Sequence, residues 1–321
     1  MIARRLALVG VSALPFGAAG QTPRPPGRIG YLHPRIVRAD SVTLTVLRPV
    51  WQRLGYVEGT TLLTRSAEDD LARIPALAAE LVRLGAGVLI VVGAAPVRAA
   101  RQSVPETPIV AIDLETDPLR AGLAASFSRP GGTVTGLFLD QPSLAAKWIE
   151  LLREADPAIE RVAIVRDPST PRDQLDVALD AARAKRIEAV VLELYAAAGF
   201  EPAFGGLTGG RRTGVVQLGS PGFAVVADAF AAAARKHGLP TISFLRAYAI
   251  AGALLTYGPN QEAYFGRAVM LADRILRGEK PGDIPIERPD RFELAINLQT
   301  AKLLGLQLPS SLLAQADEVI E

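Results

Sequence analysis

Cysteine is absent from the 321 residues. This excludes disulfides, thiolate metal sites, a cysteine nucleophile and a lipid-modified N-terminal cysteine. Histidine is nearly absent, with two in the chain, His33 and His237. No His-Glu-x-x-His, Gly-x-Ser-x-Gly or phosphate-loop pattern occurs, so no catalytic set, metal centre or cofactor cradle is legible. Gly205-Gly206-Leu207-Thr208-Gly209-Gly210 is glycine-rich but lacks the Lys-Ser/Thr ending and reads as a loop. A basic excess is missing too: the formal charge is +2, and it falls to 0 if Arg4 and Arg5 are removed. A neutral surface argues against nucleic acid as a partner, since that needs a concentrated basic face. Arg211-Arg212 reads as part of a solvated turn.

The N-terminal apolar run, Leu6–Leu14, follows Arg4-Arg5 and is broken by Pro15. It falls short of the roughly 20 residues a spanning helix needs. Positive start, short apolar stretch and the small residues Gly17–Gly20 together read as a signal peptide over residues 1–20, cleaved before Gln21. Arg4-Arg5 fits either the twin-arginine or the ordinary secretory route. Residues 21–27 form a proline-rich leader that joins neither a helix nor a central strand. The mature chain is expected in the periplasm, not lipid-anchored, without stable membrane insertion, and monomeric.

The body from Arg28 onward contains two runs of apolar strands alternating with glycine-capped helices. The first extends from Arg28–Leu32 to Thr133–Leu137, the second from Arg161–Val165 to Ala253–Tyr257. Such alternation predicts α/β architecture, with two doubly wound parallel-sheet lobes. Gly55, Gly85, Gly238, Gly278 and Gly305 follow apolar-periodic runs, where glycine closes a helix in the left-handed conformation. Val88–Val92 is a continuous apolar run suited to a strand buried on both faces. Further strands are expected at 61–66, 108–112, 189–194, 215–218, 241–244 and 292–297, with a long helix at 262–276 packed back on the first lobe. The chain then crosses between lobes three times, near residues 138, 258 and 290. One lobe comprises 28–138 plus 258–289, the other 139–257 plus 290–321, joined by a three-segment hinge. An exported two-lobed chain of this kind suits capture of a small molecule between the lobes.

Ligands of parallel sheets gather at the carboxyl ends of the strands. His33 directly follows the first strand, whereas His237 reads as a helix C-terminal residue complementing the dipole. Ala95-Pro96, Asp117-Pro118, Thr170-Pro171 and Ser220-Pro221 read as helix starts. They either cap helices or, in addition, offer free N–H groups to a carboxylate. Asp113 and Asp167 end strands and are either partners for an ammonium group or solvated loop acids. Tyr195, Phe244 and Tyr257 lie near second-half strand ends and either stack on a ligand or cover the hinge.

With these elements placed, RIGYL (28–32), LGYVEG (54–59), PALAAELVRL (75–84), RPGGTVTGL (129–137), TYGPN (256–260) and the C-terminal stretch 292–321 resemble the ABC-transporter substrate-binding proteins related to the tryptophan/tyrosine uptake type. The resemblance implies a type I periplasmic-binding-protein fold, no catalysis, no cofactor, and delivery of a small solute to a permease with its ATPase. It implies ligand contacts from the turn Gly93-Ala94-Ala95, from Thr116-Asp117-Pro118 and from Arg166-Asp167-Pro168 with the adjoining Ser169. Relatives usually carry Trp-Asn-Pro in this last segment. Asp167 in place of the amide favours a cationic or hydroxyl-bearing ligand over a simple aromatic amino acid. A periplasmic sensor that presents its closed form to a membrane signalling protein would need the same cleft. An enzyme built on His33 with Asp113 or Asp167 would lack a nucleophile and an oxyanion arrangement.

Overall fold

The computed structural model describes residues 27–36, 42–139, 141–168, 172–194, 196–289 and 291–321. The expected signal peptide, Ser169, Thr170-Pro171 and Tyr195 lie outside the described residues.

Five parallel strands form the first sheet: β1 (Arg28–His33), β2 (Leu62–Ser66), β3 (Ala86–Val92), β4 (Ile109–Asp113) and β5 (Val134–Phe138), in the order β2-β1-β3-β4-β5. Side chains alternate across a strand, so both faces of this apolar sheet need cover. Ile29, Tyr31, Val88 and Ile90 pack on one face with Trp51 and with Phe265, Ala268 and Val269 of the helix Gln261–Leu276. Leu32, Leu89 and Val91 pack on the other with Ala78, Leu81 and Val97. The helix Gln261–Leu276 therefore returns to the first sheet after the second has been built.

The second sheet comprises β6 (Arg161–Arg166), β7 (Glu188–Glu193), β8 (Thr213–Gln217), β9 (Thr241–Ser243), β10 (Leu255–Pro259), β11 (Phe292–Asn297) and β12 (Glu318–Ile320), in the order β12-β11-β10-β9-β8-β6-β7. Its β10–β11 pairing is antiparallel, a departure from the fully parallel expectation. The cause is topological: β10 leads the chain out toward the first sheet and β11 brings it back. The three-residue β12 was not expected; it is too short to show periodicity.

The crossings are pinned by hydrogen bonds. The Tyr264 hydroxyl donates to Phe138 O and Glu287 O at 3.0 and 3.1 Å. Trp148 Nε1 donates to Tyr257 O at 2.7 Å. Phe244 packs edge-on against the Trp148 ring within the second core, and the half-buried Tyr257 stacks on Phe292.

The helix ends follow the glycines, with φ of 83° at Gly55, 86° at Gly85, 63° at Gly238, 105° at Gly278 and 68° at Gly305. Gly136 serves a different purpose. It pairs with Ala111 at φ 136°, and a Cβ there would lie 2.2 Å from Ala111 O. The neighbour is backbone and cannot yield, so strain and overpacking add. Gly136→Ala is expected to destabilise the protein by about 2–5 kcal/mol, read as a lowered urea midpoint at an unchanged slope.

Candidate functional site

In each sheet the strand order reverses direction once, between β1 and β3 in the first and between β6 and β8 in the second. At such a switch point the connections leave toward opposite faces and open a crevice at the carboxyl edge. The two crevices face each other. The space between them measures about 420 Å³, part of it open to solvent. Its lining comes from the ends of β1 (Pro34, Arg35), β3 (Gly93, Ala95, Pro96), β4 (Glu115), β6 (Asp167) and β8 (Ser220, Pro221, Gly222), with Asp69 and Leu71 following β2.

Arg35 spans this space. Its Nη1 donates to Asp69 Oδ1 at 2.8 Å and its Nη2 to Asp167 Oδ2 at 2.6 Å, on the opposite sheet. Ser220 Oγ donates to the same Asp167 oxygen at 2.7 Å and accepts from Gly222 N–H at 3.0 Å. The guanidinium lies against bare backbone, since a Cβ at Gly222 would meet Nη2 at 2.5 Å. Pro221 reaches across to Gly93, whose Cβ would be 3.2 Å from its ring.

The backbone of Arg35 is held as firmly. His33 Nδ1 accepts from Arg35 N–H at 3.1 Å, and Ser66 Oγ donates to Arg35 O at 2.5 Å. Glu68 and Asp69 adopt φ of 54° and 71°, a conformation that β-carbon sterics disfavour. That strained turn presents Asp69 to the guanidinium.

His33 is buried and absent from the cavity wall. Burial lowers its pKa to about 4, so the ring is neutral and serves as an acceptor that turns the chain after β1. Asp113 lies beneath the wall. Its carboxylate accepts from Glu115 N–H, Thr116 N–H and Thr116 Oγ1 at 3.0, 3.1 and 2.5 Å, so it organises its own loop. Thr116 is thereby turned toward Asp113.

Asp117 caps a turn through Leu119 N–H and Arg120 N–H at 2.7 and 3.2 Å. The helix expected after Asp117-Pro118 is a single turn: Ala121 N–H bonds Asp117 O, and Gly122, at φ 65°, ends it. At the end of β3 the helix Ala94–Ser103 begins one residue before Ala95, with Gly93 at φ 95° preceding it. Ser220 caps a short 3-10 turn, Pro221–Val225, and the α-helix starts only at Ala227. Phe244 and Tyr257 pack in the second core, against Trp148 and Phe292, and neither lines the cavity. The expected residues that do line the cavity are Gly93, Ala95, Asp167 and Ser220.

Arg35, Asp69 and Glu115 line it as well, and residue-type reasoning passed over them. Arg35 lies two residues beyond β1 and Glu115 two beyond β4, so the strand-end rule that marked His33 and Asp113 reached them within two positions. Glu115 is 4 % exposed, and its Oε2 accepts from Ala94 N–H at 3.0 Å. Burial, and next the charge of Asp113, push its pKa up to about 8. Burial also raises Asp113, but three donors converge on that carboxylate, so Asp113 carries the charge and Glu115 the proton.

Comparison with known proteins places this arrangement. The family described as ABC transporter substrate binding protein matches residues 45–320. A tyrosine-binding protein of Clostridioides difficile (strain R20291) is 25 % identical over 280 residues, covering 86 % of this chain and 79 % of that protein. An ABC domain in complex with L-Trp from Streptococcus pneumoniae superposes with a TM-score of 0.78 at 19 % identity, over 91 % of this chain and 100 % of that one. A 5-methylthioribose transporter solute-binding protein from Thermotoga lettingae superposes at 0.64 and 14 % identity, over 92 % and 98 % of the respective chains. The fold is that of type I periplasmic binding proteins, as the sequence motifs implied.

The buried carboxyl makes a measurable prediction. Between its ordinary value near 4.5 and about 8, the folded chain keeps a Glu115 proton that the unfolded chain has lost. Stability therefore falls as pH rises through that window. His33 acts oppositely from about 4 to 6.5, where the unfolded chain binds the extra proton and stability rises with pH. The two contributions offset each other up to pH 6.5, and Glu115 dominates above it. Urea titrations at pH 6.5 and 8 should show wild type losing about 1–1.5 kcal/mol, with the loss abolished in Glu115→Gln.

Proposed function

The chain belongs to the ABC transporter substrate binding protein family, and from that premise we propose that it captures a small polar ligand, an amino acid or related compound, between its two lobes and delivers it to a permease powered by an ATPase. The observation that carries this reading is the cavity itself. It is walled by the strand ends at both switch points, and polar groups from both sheets converge across it.

Closure follows from the connectivity. In this reading the lobes are 28–138 with 258–289, and 139–257 with 290–321. They rotate about the segments near 138, 258 and 290, where short connections absorb the change in backbone angle. Ligand contacts come from Arg35, Asp69, Glu115 and the turn at Gly93–Ala95 on one lobe, and from Asp167 and Ser220 on the other. The ligand stabilises the closed form, and the permease reads closure as the two lobes brought into register. Binding, not bond chemistry, is the work of this family, so neither cofactor nor metal enters. Residues 1–20 direct the chain to the periplasm. Without cysteine it carries no lipid anchor there and acts as a soluble monomer.

The tyrosine-binding relative and the tryptophan complex support an amino acid as ligand. Protein stripped of carried-over compounds by unfolding and refolding is expected to be stabilised by a true ligand. At a hundredfold excess over its Kd the gain is about 2.7 kcal/mol, seen as a raised Tm. A panel of amino acids, amines, nucleosides and sugars that leaves the Tm unmoved throughout would overturn the capture reading.

A further inference from the structure

Among the described residues, the cavity wall carries three carboxyl groups, Asp69, Glu115 and Asp167, against one lining cation, Arg35. Their environments differ. Asp69 is half-exposed and Asp167 is buried, and both bond the Arg35 guanidinium. Glu115 is buried, and the hydrogen bond it receives comes from a backbone N–H, not from a cationic side chain. The charges facing it are Asp113 on its own loop, Asp167 on the opposite lobe and Arg98 on the helix Ala94–Ser103.

Arg35 shows what the opposite wall is shaped to hold. A planar cation rests with one nitrogen on Asp167 Oδ2, beside the Ser220 hydroxyl and over the bare Cα of Gly222. Arg35 also has its second anchor on Asp69, within its own lobe. A cationic nitrogen from a ligand can take the Asp167 oxygen while Arg35 stays on Asp69.

Resting on the capture reading above, we infer that the cleft selects ligands carrying a protonated amine or guanidinium nitrogen, held between Glu115 of the first lobe and Asp167 of the second. Two carboxyls from opposite lobes then meet on one ligand cation, so recognition of the nitrogen and closure of the lobes become the same event. A neutral sugar offers hydroxyl donors but no charge, a weaker match for a carboxylate in this setting than a cation, and a carboxylate-only compound would be repelled by Asp167. The proton balance is defined. Glu115 is pushed up to about 8 in the empty cleft and carries a proton at neutral pH. An adjacent ammonium favours the ionised form, so binding releases that proton to solvent while the ligand nitrogen keeps its own.

The test uses compounds sharing one aromatic ring: L-tyrosine with both charges, tyramine with the amine alone, and 3-(4-hydroxyphenyl)propionate with the carboxylate alone. L-Arginine, putrescine and 5-methylthioribose complete the set. Titration calorimetry on the refolded protein should find binding confined to amine- or guanidinium-bearing compounds. Loss of the nitrogen should weaken binding at least about 100-fold, and Glu115→Gln and Asp167→Asn should each weaken it more than about 10-fold. A second readout needs no variant: at pH 7, heats measured in phosphate and in Tris should differ in the sense of proton release, approaching one proton per ligand. Binding of the propionate or of 5-methylthioribose as tightly as the best amine overturns amine selection and leaves ligand capture standing. So does an amine Kd unchanged in Glu115→Gln with no proton released. No heat from any compound overturns both.

Discussion

One guanidinium ties the two sheets together, and much of the cleft's construction serves to hold it. Arg35 bonds Asp69 within its own lobe and Asp167 across the gap. Its backbone is fixed by His33 and by Ser66. The turn that brings Asp69 to it is held at two positive-φ residues, Glu68 and Asp69. Strain of this type costs on the order of 1–3 kcal/mol per residue and persists where surrounding contacts over-determine it. On the far side, Gly222 leaves room for the guanidinium, and Ser220 orients the accepting carboxylate. Removing any of these parts would loosen a contact made between lobes, which the separate hydrophobic cores cannot replace.

The placement of charge follows from burial. Asp113 and Glu115 sit two residues apart at the end of β4, both almost wholly excluded from water. A pair of buried carboxylates at that separation cannot both ionise cheaply. Asp113 gathers three donors and keeps the charge, which fixes the loop. Glu115 receives one backbone N–H and keeps a proton. One carboxyl has thus become structural and its neighbour is left facing the cavity. His33 was freed from any charged role by the same desolvation, since a neutral ring suffices to accept the Arg35 amide.

Strand positions were legible because their signals are local and repeated. Val88–Val92 is apolar throughout because both faces are covered, and the helix ends marked by Gly55, Gly85, Gly238, Gly278 and Gly305 carry those glycines at positive φ. The return of Gln261–Leu276 to the first sheet was legible from its place after the second run of strands. Asp167 and Ser220 could be located for the same reason, as they lie one and three residues beyond strands that periodicity marks. Arg35 and Glu115 escaped because nothing in their neighbourhood separates a cleft residue from a solvated one; only the facing of two sheets, a non-local fact, does so. The helix expected at Asp117 failed on a shorter scale. Its cap and proline are present, but Gly122 closes the chain after one turn. Phe244 and Tyr257 were aromatic at strand ends, yet the crossing segments required them as cover for Trp148 and Phe292.

The Arg35–Asp167 pair also constrains where binding energy can come from. A ligand cation that takes the Asp167 oxygen exchanges one charge-assisted hydrogen bond for another, so that contact contributes less net affinity than a newly made pair, although without the Asp167 charge the ligand nitrogen would be left with one carboxyl. Glu115 is different, because among the described residues its hydrogen bond comes from the Ala94 N–H and not from a side-chain cation. An arriving cation converts a protonated, desolvated acid into a paired carboxylate, and the pairing appears as net gain less the cost of the proton. Selectivity then resides on the first lobe at Glu115, while Asp167 makes that selectivity felt by the second. A device of this kind needs both walls: the crevice of either sheet alone would leave the ligand nitrogen half in water, where such pairs are weak.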